Sequence, residues 1–291
     1  MTKLIHTIDE LRKELKLARE KSLKIGLVPT MGALHEGHIS LMKKAKEVSD
    51  VVVVSIYVNP TQFGINEDFS KYPRTLDDDL KTCTANGVDF VFAPNTFEMY
   101  GVSEANKNLL SQNYLTYVTA PYNMTDILCG KSRIGHFDGV ATVVTKLFNI
   151  TGCDYAFFGQ KDAQQLIIIK KLVKDLNIPV EIIPCPIVRE KSGLALSSRN
   201  TYLTSEGKQK ALCLSKILNN AKMLFETKNV TDFSYLQETA FSILPQDVEL
   251  EYFEAVDFET LEPIQVLKSN TLLAIAAKVD NVRLIDNVIL E

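Results

Sequence analysis

Residues 51–58, Val51-Val52-Val53-Val54-Ser55-Ile56-Tyr57-Val58, constrain the fold of this chain more than any other segment. The run is far shorter than the about 20 apolar residues that cross a bilayer, and it lacks the alternation of a half-exposed strand. A short, continuous, β-branched strand belongs in a parallel sheet covered on both faces. Its neighbours agree. Lys24 to Val28 reads as a strand, Pro29 to Gly37 as a glycine-containing loop and Ile39 to Val48 as a helix, so the run closes a strand-loop-helix-strand unit.

The alternation extends in both directions. Thr7 and Glu10 form a capping-box pattern ahead of Ile8, Leu11, Leu15 and Ala18, which predicts an amphipathic first helix. Thr75 followed by Asp77, Asp78 and Asp79 suits a helix N-terminus, where carboxylates favour the positive end of the dipole, and Asn86-Gly87 suits its end. Asp89 to Phe92, Asp154 to Phe158 and Val180 to Val188 read as strands, and Gly139 to Ile150 and Gln164 to Leu176 as helices. The expected fold class is α/β, a Rossmann-like doubly wound parallel sheet. After Val188, helices at Ser205 to Asn220 and Phe233 to Phe241 precede three successive strands, Leu250 to Val256, Thr271 to Val279 and Val282 to Ile289. That order predicts a smaller C-terminal α+β domain, with residues 1–185 forming the first domain and 186–291 the second.

Lys plus Arg, 32, against Asp plus Glu, 36, leaves a net charge of -4, which disfavours nucleic acid as the main ligand. The N-terminus runs at once into mixed charged sequence, with no apolar export segment, and no stretch is long enough to span a membrane. Cys83, Cys129, Cys153, Cys185 and Cys213 are scattered and contain no CxxC pair. They read as reduced core thiols, and the expected location is cytoplasmic.

Four segments carry candidate chemistry. Pro29-Thr30-Met31-Gly32-Ala33-Leu34-His35-Glu36-Gly37-His38 lies between a strand and a helix, where open α/β sheets bind ligands. Its two histidines flank a helix N-terminus, whose positive end favours neutral rings able to donate N–H to phosphate oxygens. The alternative is a pair of histidines that cap a turn. No third His, Cys or carboxylate completes a zinc set. Asn59-Pro60-Thr61-Gln62-Phe63 follows the strongest strand, and its amides can hold a polar substrate without neutralising it, unless the segment is an ordinary Asn-Pro turn. Gly159-Gln160-Lys161-Asp162-Ala163-Gln164-Gln165 opens a helix: Lys161 offers charge, Asp162 can accept from ribose hydroxyls, and Gln165 lies one turn on, the alternative being solvated side chains at a helix cap. Leu196-Ser197-Ser198-Arg199-Asn200 offers two hydroxyls and a guanidinium to phosphate oxygens. Neither GxxxxGK[ST] nor GxGxxG occurs.

Together these segments resemble the pantothenate synthetases, the AMP-forming pantoate and β-alanine ligases. The resemblance runs through PTMGALHEGH at 29–38, VNPTQF at 58–63, YPRT at 72–75, GHF at 135–137, FFGQKDAQQL at 157–166, LSSRN at 196–200 and RLIDN at 283–287. The HxGH element alone is shared with nucleotidylyltransferases, the runner-up, and with class I aminoacyl-tRNA synthetases. The resemblance implies a HIGH-type nucleotidyltransferase fold, with ATP and pantoate held by residues 1–185 and a lid formed by residues 186–291. It implies that Met31 to His38, Gly159 to Asp162, Val188 and Leu196 to Arg199 hold ATP, with His38 at the phosphates as proton donor, and with His35 and Lys161 also acting in the reaction. Gln62 would bind pantoate and lie close to β-alanine, and Gln165 would bind pantoate. Asn59, Tyr72, Arg133 and His136 would line the substrate cavity. A magnesium ion on the phosphates and a homodimer are implied in the same way. Gln160 and Cys129 stand where that family often carries glutamate; both remove a negative charge and bear on the pairing of Lys161 and Arg133, not on the reaction class.

Overall fold

The computed structural model describes residues 2–64, 67–103, 106, 109–111 and 114–291. The chain divides into two compact units, one of Met1–Pro121, Arg133–Gln160 and Ile168–Cys185, the other of Tyr122–Ser132, Lys161–Ile167 and Pro186–Glu291.

The first unit is built on a parallel sheet of β1 (Lys3–Ile5), β2 (Ile25–Thr30), β3 (Val51–Ile56), β4 (Phe90–Phe92), β5 (Tyr155–Gly159) and β6 (Glu181–Cys185), in the order β1-β4-β3-β2-β5-β6. The chain therefore winds one way from β2 through β3 to β4 and the other way through β5 to β6, which is the doubly wound pattern expected. Val52, Val53, Val54 and Ser55 are buried, as a strand covered on both faces requires. On one face Val28, Val52, Val54 and Phe157 pack with Leu41, Met42 and Ala45 of α2 (Glu36–Val48) and Cys83 of α3 (Leu76–Ala85). Two further helices, α1 (Ile8–Glu20) and α7 (His136–Thr151), pack on each other, and α7 also meets β2.

Helix α1 begins as expected, with the Thr7 hydroxyl accepting the Glu10 N–H. Four differences have identifiable physical causes. β1 carries no signal of its own in the sequence because its pairing with β4, Lys3 opposite Phe90, is wholly non-local. Pro29 and Thr30 belong to β2 and not to the loop, since β2 stays in register with β3 as far as Thr30 opposite Ile56. α7 starts at His136, three residues earlier than the sequence suggests, because Gly135 turns the chain at φ 78°. β6 stops at Cys185; Pro184 is tolerated because β6 is an edge strand, and Val188 instead pairs its carbonyl with the Leu196 N–H.

The second unit holds the antiparallel sheet β7 (Glu249–Asp257), β8 (Thr271–Val279) and β9 (Val282–Ile289), in that order. Elsewhere along the chain lie the short helices α4 (Thr96–Tyr100), α5 (Tyr122–Thr125) and α6 (Leu128–Ser132), and the longer α8 (Ala163–Asp175). Helix α9 (Ser205–Lys228), two turns longer than expected, and α10 (Phe233–Ile243) pack on one face of the small sheet through Leu214, Ile217, Leu218, Leu236, Ile275 and Leu284. No helix among the described residues is long and apolar enough to cross a membrane. All five cysteines are buried and free, and burial pushes the Cys83 and Cys153 thiols up to about 12.

Candidate active site

β2 delivers its carboxyl end to residues 31–35, which turn sharply into α2. Gly32 sits at φ 83°, with Asp79 Oδ2 and Ile56 in the space a Cβ would fill, and Ala33 follows at φ 52°. Asp79, buried on α3, holds this turn by accepting the Ala33 N–H at 3.0 Å and the Leu34 N–H at 2.8 Å. Asp79 still lies with Asp77 and Asp78 in the first turn of α3, as expected, and these two bonds are a further role that its position alone does not announce. Thr75 occupies the N-cap position of α3 but makes no cap bond; its hydroxyl lies 3.2 Å from Asp79 Oδ2.

The turn sets both histidines. The Gly37 N–H donates to His35 Nδ1 at 3.1 Å, and the His35 N–H donates to His38 Nδ1 at 3.3 Å, a reciprocal capping box on α2. The rings lie 4.2 Å apart between centroids. A nitrogen that accepts a hydrogen bond carries no proton, so each Nδ1 is a lone-pair acceptor and Nε2 is the N–H of each neutral ring. Capping and phosphate donation are therefore compatible uses of one imidazole. Glu36 is exposed on the first turn of α2.

After β3, Asn59 caps the turn Pro60–Gln62. Asn59 Nδ2 donates to Gln62 Oε1 at 3.0 Å and to the Gly139 carbonyl at 3.2 Å, while its Oδ1 accepts the Tyr100 hydroxyl at 2.9 Å. Gln62 is buried, with Nε2 3.2 Å from Met31 Sδ, so the first two sequence segments meet. The approach of α7 needs a glycine: a Cβ on Gly139 would run into the Thr61 carbonyl. Tyr72 is buried edge-on to Phe63.

His136 lies 2.8 Å through Nδ1 from the Gln62 carbonyl and 2.9 Å through Nε2 from Arg133 Nη1. Arginine only donates, so His136 Nε2 accepts and its Nδ1–H donates to Gln62. The same guanidinium donates to both oxygens of Glu67, each at 2.7 Å. Burial pushes the Glu67 carboxyl up, but the Arg133 hydrogen bonds and charge outweigh it and leave it below the ordinary value. Arg133 thus has its acidic partner despite Cys129.

In the second unit, Lys161 and Asp162 lie in the turn Gln160–Asp162 that leads into α8, with Lys161 half-buried and Asp162 exposed. Among the described residues the Lys161 side chain makes no ion pair. Gly159 ends β5, which neighbours β2 in the sheet. Gln165 is half-buried; its buried neighbour Gln164 donates through Nε2 to the Met124 and Ile127 carbonyls, both at 2.9 Å. Ser197 caps the turn Ser198–Tyr202 by accepting the Arg199 N–H at 3.3 Å, and Leu196, Ser198 and Arg199 are half-buried. Cys129 Sγ lies 3.2 Å from the Tyr252 hydroxyl and 3.5 Å from both Arg283 Nη atoms, while Arg283 also grips Glu251 at 2.6 and 3.0 Å.

Asp79, Glu67 and Gln164 escape a sequence reading because each acts on a distant segment. Glu67 shares a stretch with the YPRT element, which is the only local signal it has.

Residues 3–289 match the family profile described as pantoate-beta-alanine ligase. The pantothenate synthetase of Acetivibrio thermocellus is 49% identical over 291 residues, covering 99% of each chain, and that of Thermotoga petrophila is 48% identical over 290 residues, again covering 99% of each. A crystal structure of the Thermus thermophilus pantothenate synthetase matches with a TM-score of 0.88 at 38% identity, covering 98% of both chains. The Francisella tularensis pantoate-beta-alanine ligase, crystallised with beta-gamma ATP and beta-alanine, matches with a TM-score of 0.77 at 37% identity, covering 99% of this chain and 98% of that one. With a profile match that spans nearly every residue and relatives of this similarity along the whole length, the chain belongs to the pantoate-beta-alanine ligase family.

Proposed function

We propose that the chain condenses (R)-pantoate with β-alanine to pantothenate at the expense of ATP, through a pantoyl adenylate, releasing pyrophosphate and then AMP. The observation that carries this beyond family membership is the reciprocal cap of His35 and His38, which presents two neutral Nε2–H donors at the carboxyl end of β2.

A carboxylate with an ordinary pKa near 4 is ionised at neutral pH, so pantoate attacks the α-phosphorus without a base. Gln62 and Gln165 hold it with neutral donors that leave its charge intact, and Asn59 and Tyr72 shape the pocket through Gln62 and Phe63. Charge builds on the phosphate oxygens as the bond to pyrophosphate breaks. The Nε2–H groups of His35 and His38 stabilise it, and Lys161, Ser197, Ser198 and Arg199 bind the triphosphate. Backbone of Met31 to His38, Gly159 to Asp162, Val188 and Leu196 completes the nucleotide contacts. The neutral amine of β-alanine then attacks the acyl carbon and AMP leaves, with one proton lost from nitrogen. Magnesium, where bound, would sit on the triphosphate and supply positive charge to its oxygens; among the described residues no three His, Cys, Asp or Glu side chains converge. The working form is a cytoplasmic homodimer.

Product analysis tests this. AMP and pyrophosphate should form only when ATP, pantoate and β-alanine are all present. ADP as the product overturns the proposal, and a nucleotide retained on the product with no need for an amine identifies a nucleotidylyltransferase instead.

A further inference from the structure

The RLIDN element at 283–287 has no part in the chemistry above, yet it carries two buried polar side chains, Asp286 and Asn287, in strand β9, whose other residues apart from Arg283 are apolar. Neighbouring residues on a strand point to opposite faces. Asp286 shares its face with Val282 and Leu284, which pack in the core beneath α9. There it accepts Arg189 Nη1 at 2.6 Å and Nη2 at 2.9 Å, and Arg189 Nη1 also donates to the Gly193 carbonyl at 3.2 Å. Arg189 and Gly193 belong to a narrow hairpin, bridged at Arg189 and Ala195 and closed by the Leu196 N–H on the Val188 carbonyl. That hairpin runs straight into Leu196 to Arg199. On the opposite face, Asn287 Nδ2 donates to the Lys161 carbonyl at 2.9 Å.

We propose that Asp286 and Asn287 are positioning residues that preset the two nucleotide-binding segments of this unit, Asp286 through Arg189 and the 188–196 hairpin, Asn287 through the Lys161 carbonyl. The inference rests on the assignment of Lys161 and Leu196 to Arg199 to ATP. A buried carboxylate in an apolar layer is a poor choice for stability, because desolvation offsets much of what the ion pair returns. It is a good choice for direction, because a bidentate guanidinium-carboxylate pair fixes the plane and the distance of both groups. One dipeptide on strand β9 of the small sheet therefore ties both segments to a single rigid element.

The test separates position from stability. Replacing the pair with apolar side chains of similar size, Asp286→Leu with Arg189→Met, removes the direction while keeping the layer packed. The full-length double variant should melt no lower than the parent, yet bind α,β-methylene-ATP about tenfold more weakly, as expected when binding groups lose their alignment, with the KM for pantoate unchanged. Asn287→Ala should weaken the same analogue independently, so that its effect multiplies with that of the pair. Unchanged analogue affinity in both variants, whatever their melting temperatures, overturns the inference. Lys161→Ala and Arg199→Ala serve as controls: if they also leave the affinity unchanged, it is the nucleotide assignment that fails, and the inference falls with it.

Discussion

Asp79→Asn is the sharpest test of how the histidine turn is held. The carboxylate accepts two backbone N–H groups, from Ala33 and Leu34. Asparagine keeps the shape but only one acceptor oxygen, so one N–H would face an NH2 group. Losing one bond to a charged acceptor and stranding its donor costs about 3 kcal/mol. Ala33, at φ 52°, gives back about 1–2 kcal/mol if it relaxes, so the loss falls on the turn before it falls on the fold. At about 1.4 kcal/mol per tenfold, the fraction of chains with His35 and His38 in place drops by up to about a hundredfold. The assay is AMP formation at saturating substrates beside a thermal melt. We expect kcat to fall about ten- to a hundredfold, with Tm lowered by less than the about 6–12 °C that 3 kcal/mol of global destabilisation gives in a chain of this size. An unchanged kcat with that full loss of Tm would make Asp79 a purely structural residue, with no hold on the histidine turn.

His38→Gln keeps a side-chain acceptor for the His35 N–H, as glutamine does in an ordinary capping box, but removes the ring donor; turnover should drop about 10²-fold with Tm retained, and near-normal turnover would remove His38 from the chemistry. Glu67 has a folded pKa below its ordinary value, so its contribution to stability is complete above about pH 4.3 and is lost as pH falls through the lowered value. Glu67→Gln should abolish that part of the acid limb in a plot of Tm against pH, and should raise the KM for pantoate through Arg133, His136 and Gln62; an unaltered limb argues against the Glu67–Arg133 pair, and an unaltered KM against its effect on Gln62. Gly139→Ala forces α7 off the Asn59 turn and should cost about 1–3 kcal/mol, read by denaturant melts. Burial pushes the Cys185 and Cys213 thiols up to about 11, and Cys83 and Cys153 higher, so these four should react with a disulfide reagent at pH 8 only on unfolding; a rapid reaction of any of them in the native protein would contradict their placement.

Much of the fold is legible because burial writes a period into the sequence. Thr271 to Val279 and Val282 to Ile289 can be read to the residue, since each is bounded by a turn and rich in β-branched or aliphatic side chains. The segment that carries His35 and His38 is legible because a strand followed by a turn of glycine and histidine ahead of a helix has few structural uses. What stays hidden depends on distant partners. Asp79 lies 45 and 46 residues from the N–H groups it holds, Glu67 lies 66 residues from Arg133, and Arg189 lies 97 residues from Asp286. Each looks like an ordinary surface charge, because a local pattern carries the shape of an element but not the identity of whatever packs against its polar atoms. The tautomer of His136 is hidden for the same reason: it follows from Arg133 on one side and the Gln62 carbonyl on the other.

The proposed reaction turns on attack of the pantoate carboxylate on the α-phosphorus of ATP. Oxygen-18 in that carboxylate follows the bond directly. If the carboxylate attacks and AMP later leaves the acyl carbon, one labelled oxygen must appear in the phosphate of AMP. Mass spectrometry should find that label in AMP and none in pyrophosphate. Label in inorganic phosphate or pyrophosphate, or AMP with none, would contradict it.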